Sequence, residues 1–109
     1  MTDKVVILVT ARKLPEAKRI ARSLLNSKLA ACVNIVPQIR SLYRWQGRLE
    51  ETREQLLLIK TTRELFAELK TAISQHHSYA TPEIICLPIV EGSAEYLQWV
   101  GDSVKRPQN

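Results

Sequence analysis

The stretch Ala31–Thr61, ACVNIVPQIRSLYRWQGRLEETREQLLLIKT, reads as one long β-hairpin turned at Gly47. Its odd positions up to Trp45 hold Ala31, Val33, Ile35, Pro37, Ile39, Ser41, Tyr43 and Trp45, while the even ones include Asn34, Gln38, Arg40, Arg44 and Gln46. Such alternation predicts a strand that buries one face. The return limb is polar over Arg48–Gln55 and then apolar over Leu56–Ile59, as suits a buried strand. A strand commonly has roughly 5–6 residues and each limb here is more than twice that, so the tip is expected to project beyond its own core.

A projecting tip that carries Ile39, Leu42, Tyr43, Trp45 and Leu49 exposes more apolar surface than a small domain covers by itself. Contiguous surface of this kind marks an interface, and an unpaired strand edge invites another chain. The expectation is a symmetric homo-oligomer in which these five residues pack against neighbouring copies.

Before the hairpin, Lys4–Thr10 (KVVILVT) is a continuous β-branched run that suits a central strand. Pro15 then opens a first helix, where a missing N–H does no harm. Its apolar stripe is Ala17, Ile20, Ala21, Leu24 and Leu25, and it runs to about Lys28. After the hairpin, Thr61-Thr62-Arg63-Glu64 has capping-box spacing, and Leu65, Phe66, Leu69, Ala72 and Ile73 give a second helical stripe. His76 and His77 close that helix, where donating side chains can serve terminal carbonyls. Ile84–Val90 is the last strand, with Pro88 marking an edge or a bulge. Ser93 caps a short third helix bearing Tyr96, Leu97 and Trp99, and 105–109 reads as a flexible tail.

The order β-α-β-β-α-β plus a terminal helix is a ferredoxin-like pattern, an α+β sandwich occupying 1–109 as a single domain. Two helices cover one face of a four-stranded antiparallel sheet, leaving the other face bare and rich in Val, Ile and Leu. The first and third strands are central in that topology. Cys32 and Cys86, on opposite edge strands, then stand roughly 14 Å apart, which excludes a bond within one subunit. Joint chemistry of the two thiols needs a neighbour.

Composition narrows the function. The run Val5–Val9 is too short to span a bilayer and a basic cluster follows it, so the reading is a cytoplasmic chain with no membrane partner. The net charge is +5, and the first 55 residues hold 11 Lys/Arg against 5 Asp/Glu while the remainder hold 5 against 6. Arg12, Lys13, Lys18, Arg19, Arg22 and Lys28 concentrate the excess on or beside the first helix. No aromatic residues interleave with them, and KVVILVT and EQLLLIKT carry none, which argues against nucleic acid and for a solvated helix face. No Ser-His-Asp order, glycine-rich phosphate loop or metalloprotease helix occurs, so a non-enzymatic protein is expected.

Several stretches taken together are similar to the CutA family of divalent-cation tolerance proteins. They are AACVNI at Ala30–Ile35, the S-x-Y-x-W-x-G run from Ser41 to Gly47, Lys60-Thr61, His77-Ser78-Tyr79 leading to Pro82-Glu83-Ile84, and Tyr96-Leu97-x-Trp99. The resemblance covers nearly the whole chain. It implies a homotrimer, similar in architecture to PII signalling proteins, with a role in divalent-metal (copper) tolerance and clefts between subunits. Cys32, Lys60, His77, Tyr79, Pro82 and Glu83 match positions that line or neighbour such a cleft, and Trp45 matches the aromatic at the hairpin tip.

Two positions depart from the family pattern: Ser78 stands where proline is common, and Ala80 where a carboxylate or amide is frequent. A thiolate and an imidazole suit copper or zinc, so Cys32, His77 and Glu83 are the candidate metal ligands. Lys60, Tyr79 and Trp45 are the candidate ligand-cleft residues, with Lys60 expected beside Glu83. No cofactor is required on this reading, copper or another divalent cation is the ion in view, and the partner is a second copy of the chain. The alternative is a PII-like signalling protein that binds a small anionic metabolite at the subunit interface.

Overall fold

The computed structural model describes residues 2–107. Its elements are β1 (Lys4–Ala11), α1 (Leu14–Asn26), β2 (Cys32–Trp45), β3 (Arg48–Thr62), α2 (Phe66–His76), β4 (Ile84–Pro88) and α3 (Ala94–Ser103), with a 3-10 turn at Arg63–Leu65 before α2. The four strands form one antiparallel sheet in the order β2-β3-β1-β4. The expected element order is therefore found, with β1 and β3 central and Pro88 on an edge strand.

One face of the sheet and two helices make the core. Val5, Ile7, Val9, Leu57 and Ile59 face Ala17, Ile20 and Leu24 of α1 and Leu69 and Ile73 of α2, all essentially inaccessible to water. Burying each large aliphatic side chain stabilises the fold by about 1.5–3 kcal/mol. Helix α1 stops at Asn26, two residues short of the expected end. Lys28 turns into the left-handed region at φ +58°, and the Leu29 N–H closes back on the Leu24 carbonyl.

The capping box at Thr61 does not form. Thr61 is still in β3 with its side chain fully buried, and its hydroxyl donates to the Leu29 carbonyl at 2.7 Å. Tertiary contact claims the side chain that the local spacing had assigned to a cap. Ser93 does precede α3 as expected, yet its hydroxyl makes no capping bond.

The hairpin is as long as expected, but its odd positions do not share one face. Val33 and Ile35 lie opposite Ile59 and Leu57 on the helix side. Between Val36 and Ile39 the register slips, and Pro37 and Gln38 stand together opposite Gln55. Such a bulge inserts one residue and inverts the side to which later positions point. Ile39, Ser41, Tyr43 and Trp45 consequently pair with Glu54, Thr52, Glu50 and Arg48 on the face away from the helices. Gln38 adopts φ +59°, and its N–H donates to Oε1 of Gln55 at 3.1 Å. Strand β1 ends at the pair Ala11 with Gln55, so beyond that point β2 and β3 continue as a two-stranded arm. Gln46 and Gly47, both with positive φ, close its tip in a two-residue turn.

The second sheet face is not wholly bare. Helix α3 packs against β1 and β3, its Val100 is fully buried outside the main core, and a Cβ at Gly101 would fall 3.1 Å from Cε of Lys4. The rest of that face leaves Val36, Ile85 and Leu87 exposed. Beyond α3 the chain returns to the helix layer: the Lys105 N–H donates to the Lys28 carbonyl at 2.9 Å, and its Nζ lies 2.6 Å from Glu68. The expected loose tail is thus anchored at its first residue, and 108–109 lie outside the described residues. Among the described residues no helix is long and apolar enough to cross a membrane.

Candidate functional site

The expected site residues fall into two clusters and a tip. The first cluster lies at the start of β2, on the face away from α1 and α2. Cys32, Asn34 and Lys60 meet there because Cys32 pairs with Lys60 and Asn34 is the next residue on the same side. Lys60 Nζ donates to Oδ1 of Asn34 and lies 4.0 Å from Cys32 Sγ. Its ammonium is therefore engaged here, not beside Glu83 as the sequence suggested. Tyr96 of α3 reaches the same thiol; burial, and then the charge and hydrogen bond of Cys32, raise its phenol above the ordinary value.

The second cluster surrounds the other end of β1. His77 follows α2 directly, and its side chain is wholly buried. Nδ1 accepts the backbone N–H of Tyr79 at 3.0 Å, so the proton sits on Nε2, which donates to the Thr10 carbonyl at 2.7 Å. Glu16 of α1 accepts the N–H and the hydroxyl of Ser78, at 2.6 and 3.0 Å, and its Oε2 lies 3.6 Å from His77 Nδ1. The Tyr79 hydroxyl donates to Glu54 at 2.8 Å. Burial, then the hydrogen bond and charge of Glu54, hold this phenol far above its ordinary value, with Arg12 working in the opposite direction.

These partners went unforeseen. Glu16 and Glu54 are only 7% and 6% exposed, yet in sequence each sits where a solvated charge is the ordinary expectation. Ser78, noted as a departure from the family pattern, supplies both donors to Glu16, which a proline could not. His76 does not serve the carbonyls at the end of α2; its Nε2 meets Ser23 Oγ at 3.2 Å and links the two core helices.

Within one chain the candidate ligands do not converge. Cys32 is level with Val6 of β1 through Lys60, whereas His77 is bonded at Thr10, about 13 Å further along the strand. Glu83 is exposed ahead of β4 and takes part in none of the ion pairs among the described residues. No group of three His, Cys, Asp or Glu able to hold a metal occurs among the described residues. Lys60, Tyr79 and Trp45 are likewise apart, with Trp45 at the arm tip roughly 40 Å along β3 from Lys60. Leu42, Trp45 and Leu49 are 62, 56 and 71% exposed, Tyr43 is exposed as well, and Ile39 is half-buried.

A four-stranded antiparallel sheet, two helices on one side, a third on the other and a long arm define a small α+β protein. The chain belongs to the CutA family: the family described as CutA1 divalent ion tolerance protein matches residues 5–103. It is 48% identical over 98 residues to the divalent-cation tolerance protein CutA of Thermus thermophilus, covering 90% of this chain and 95% of that one. A chloroplastic CutA of Arabidopsis thaliana is 43% identical over 101 residues, covering 93% of this chain and 56% of the plant protein. The solved structure of the periplasmic divalent cation tolerance protein CutA from Archaeoglobus fulgidus matches with a TM-score of 0.90 at 44% identity, over 94% of this chain and 99% of that one.

Proposed function

We propose that the protein acts in divalent-cation tolerance without catalysing a reaction, as a homotrimer that contacts metal ions, copper among them, where its subunits meet. The observation that carries this reading is the separation of the donors. Cys32 and His77 lie about 13 Å apart along the sheet and cannot share an ion within one subunit, so a site that uses both takes them from different copies. Its apolar counterpart is the exposed arm with Leu42, Trp45 and Leu49, together with Val36, Ile85 and Leu87 on the open sheet face. Family membership supports the tolerance role.

Cys32 is the leading donor, a soft ligand on an accessible edge. His77 joins only by giving up the Thr10 carbonyl or the Tyr79 N–H, since both ring nitrogens are engaged. Calorimetric titration with copper(II) tests the assignment. Uptake is expected to be lost in Cys32→Ser and weakened less in His77→Ala; uptake unchanged in both removes the site. Sedimentation at low concentration tests the assembly, and a well-folded single chain there overturns the intersubunit reading.

A further inference from the structure

On the sheet face away from α1 and α2, a thiol and an amine at the start of the hairpin share a single acceptor. Cys32 of β2 stands directly opposite Lys60 of β3, and Asn34 is the next β2 residue on that side. Direct opposition keeps the two Cβ atoms about 4.5–5.5 Å apart whatever the rotamers. The Asn34 side-chain oxygen takes both donors: Lys60 Nζ donates to it, and so does Cys32 Sγ at 3.8 Å. One oxygen thereby holds the amine and the thiol against each other, with Nζ 4.0 Å from Sγ. Cys32 is half-buried and Asn34 exposed, so small molecules in solution reach the pair. Cys86 offers the contrast. Burial keeps its thiol protonated above the usual range, and the cation that acts against burial there is Arg63, whose guanidinium stays charged and is no nucleophile.

We propose that Cys32 and Lys60 form a peroxide-driven covalent switch, in which oxidation of the thiol closes a sulfur–nitrogen bond between the two side chains and reducing thiols reopen it. The Cys32 thiolate first attacks hydrogen peroxide and the O–O bond breaks. One oxygen stays on sulfur as a sulfenic acid, the other leaves as water with the thiol's proton, and sulfur has given up two electrons. A sulfenic acid condenses with a thiol or a nitrogen nearby, and here a side-chain amine is held beside it. The Lys60 nitrogen attacks sulfur, the S–O bond breaks, and the hydroxyl leaves as water with one Nζ proton. A second Nζ proton passes to solvent, which leaves a sulfenamide. Two equivalents of a reducing thiol reverse the step and end as their own disulfide. The bond lies within one chain, so any assembly of copies can form it. It also removes Cys32 as a metal donor; that consequence alone rests on the proposed metal role.

The full chain, stripped of metal with a chelator, is treated with hydrogen peroxide and weighed by mass spectrometry. The expected product is lighter by two hydrogen atoms and regains them with dithiothreitol. Trypsin should release peptides 29–40 and 54–63 joined together, because Lys60 is no longer a cleavage site. Lys60→Arg keeps the charge but not the nucleophile, so the mass loss should disappear and dimedone should instead trap the sulfenic acid on Cys32. Asn34→Ala should lower the bridged fraction severalfold while peroxide still oxidises Cys32, a split that a merely structural role would not produce. Joined peptides that never form, with Cys32 carried on to a sulfinic acid, closed on its own backbone or held in a disulfide between copies, overturn the proposal. So does a mass loss that survives Lys60→Arg. With metal absent throughout, failure here leaves the copper titration of Cys32→Ser unaffected, and failure of that titration leaves the bond standing.

Discussion

The two halves of the hairpin share strands, ladder and alternation, yet differ in what holds them. At the root, Leu57 and Ile59 are flanked by β1 and roofed by α1 and α2. In the arm, Leu42 and Leu49 have neither, and most of their surface meets water. The ladder bonds are the same kind in both; burial differs. The root is therefore ordered by burial within its own subunit, and the arm is held by its two-stranded ladder and by the contacts of Glu54 and Gln55 at its base.

That contrast can be broken by substitution. Leu57→Ala should have the largest effect, costing about 2–5 kcal/mol because it opens a cavity in a closed core; the midpoint of urea unfolding measures it. Thr61→Val comes next, at about 1–3 kcal/mol, since the methyl fills the space but strands the buried Leu29 carbonyl. The same unfolding experiment should place it between Leu57→Ala and the arm variants.

Tyr79→Phe should cost about 1 kcal/mol at neutral pH. It should also change the alkaline limb. The folded phenol titrates above its unfolded value, so its contribution is complete below about pH 10 and is lost as pH rises further. Wild-type stability should fall through that range, and the variant should fall less; parallel curves would remove Glu54–Tyr79 as the cause. Leu49→Ala should be the smallest in its effect on the subunit itself, within about 0.5 kcal/mol in the concentration-independent part of the urea unfolding free energy. A cost there equal to that of Leu57→Ala would erase the distinction between root and arm.

Much of this was legible from residue order. The strands and helices were marked by periods of two and 3.6, and the hairpin by its length around Gly47, because burial on one face leaves a repeating trace. The bulge left none: inserting Gln38 after Pro37 keeps apolar residues at odd numbers while moving them to the opposite face. Glu16 and Glu54 were equally silent, since a carboxylate that will be buried among donors is written with the same letter as a solvated one. Lys60 and Thr61 were misassigned for a related reason, their partners Asn34 and Leu29 lying about thirty positions away in sequence.

The orientation of the two thiols has a practical use. Cys86 stands beside Ile7 on the helix side, where burial keeps its sulfhydryl protonated above the usual range, whereas Cys32 opens on the reverse side at the border of the sheet. Because the thiolate is the reactive form, a maleimide dye should attach to Cys32 first. The native chain thus carries a preferred site for a fluorescent handle next to Tyr96, and brief labelling should reach it ahead of Cys86.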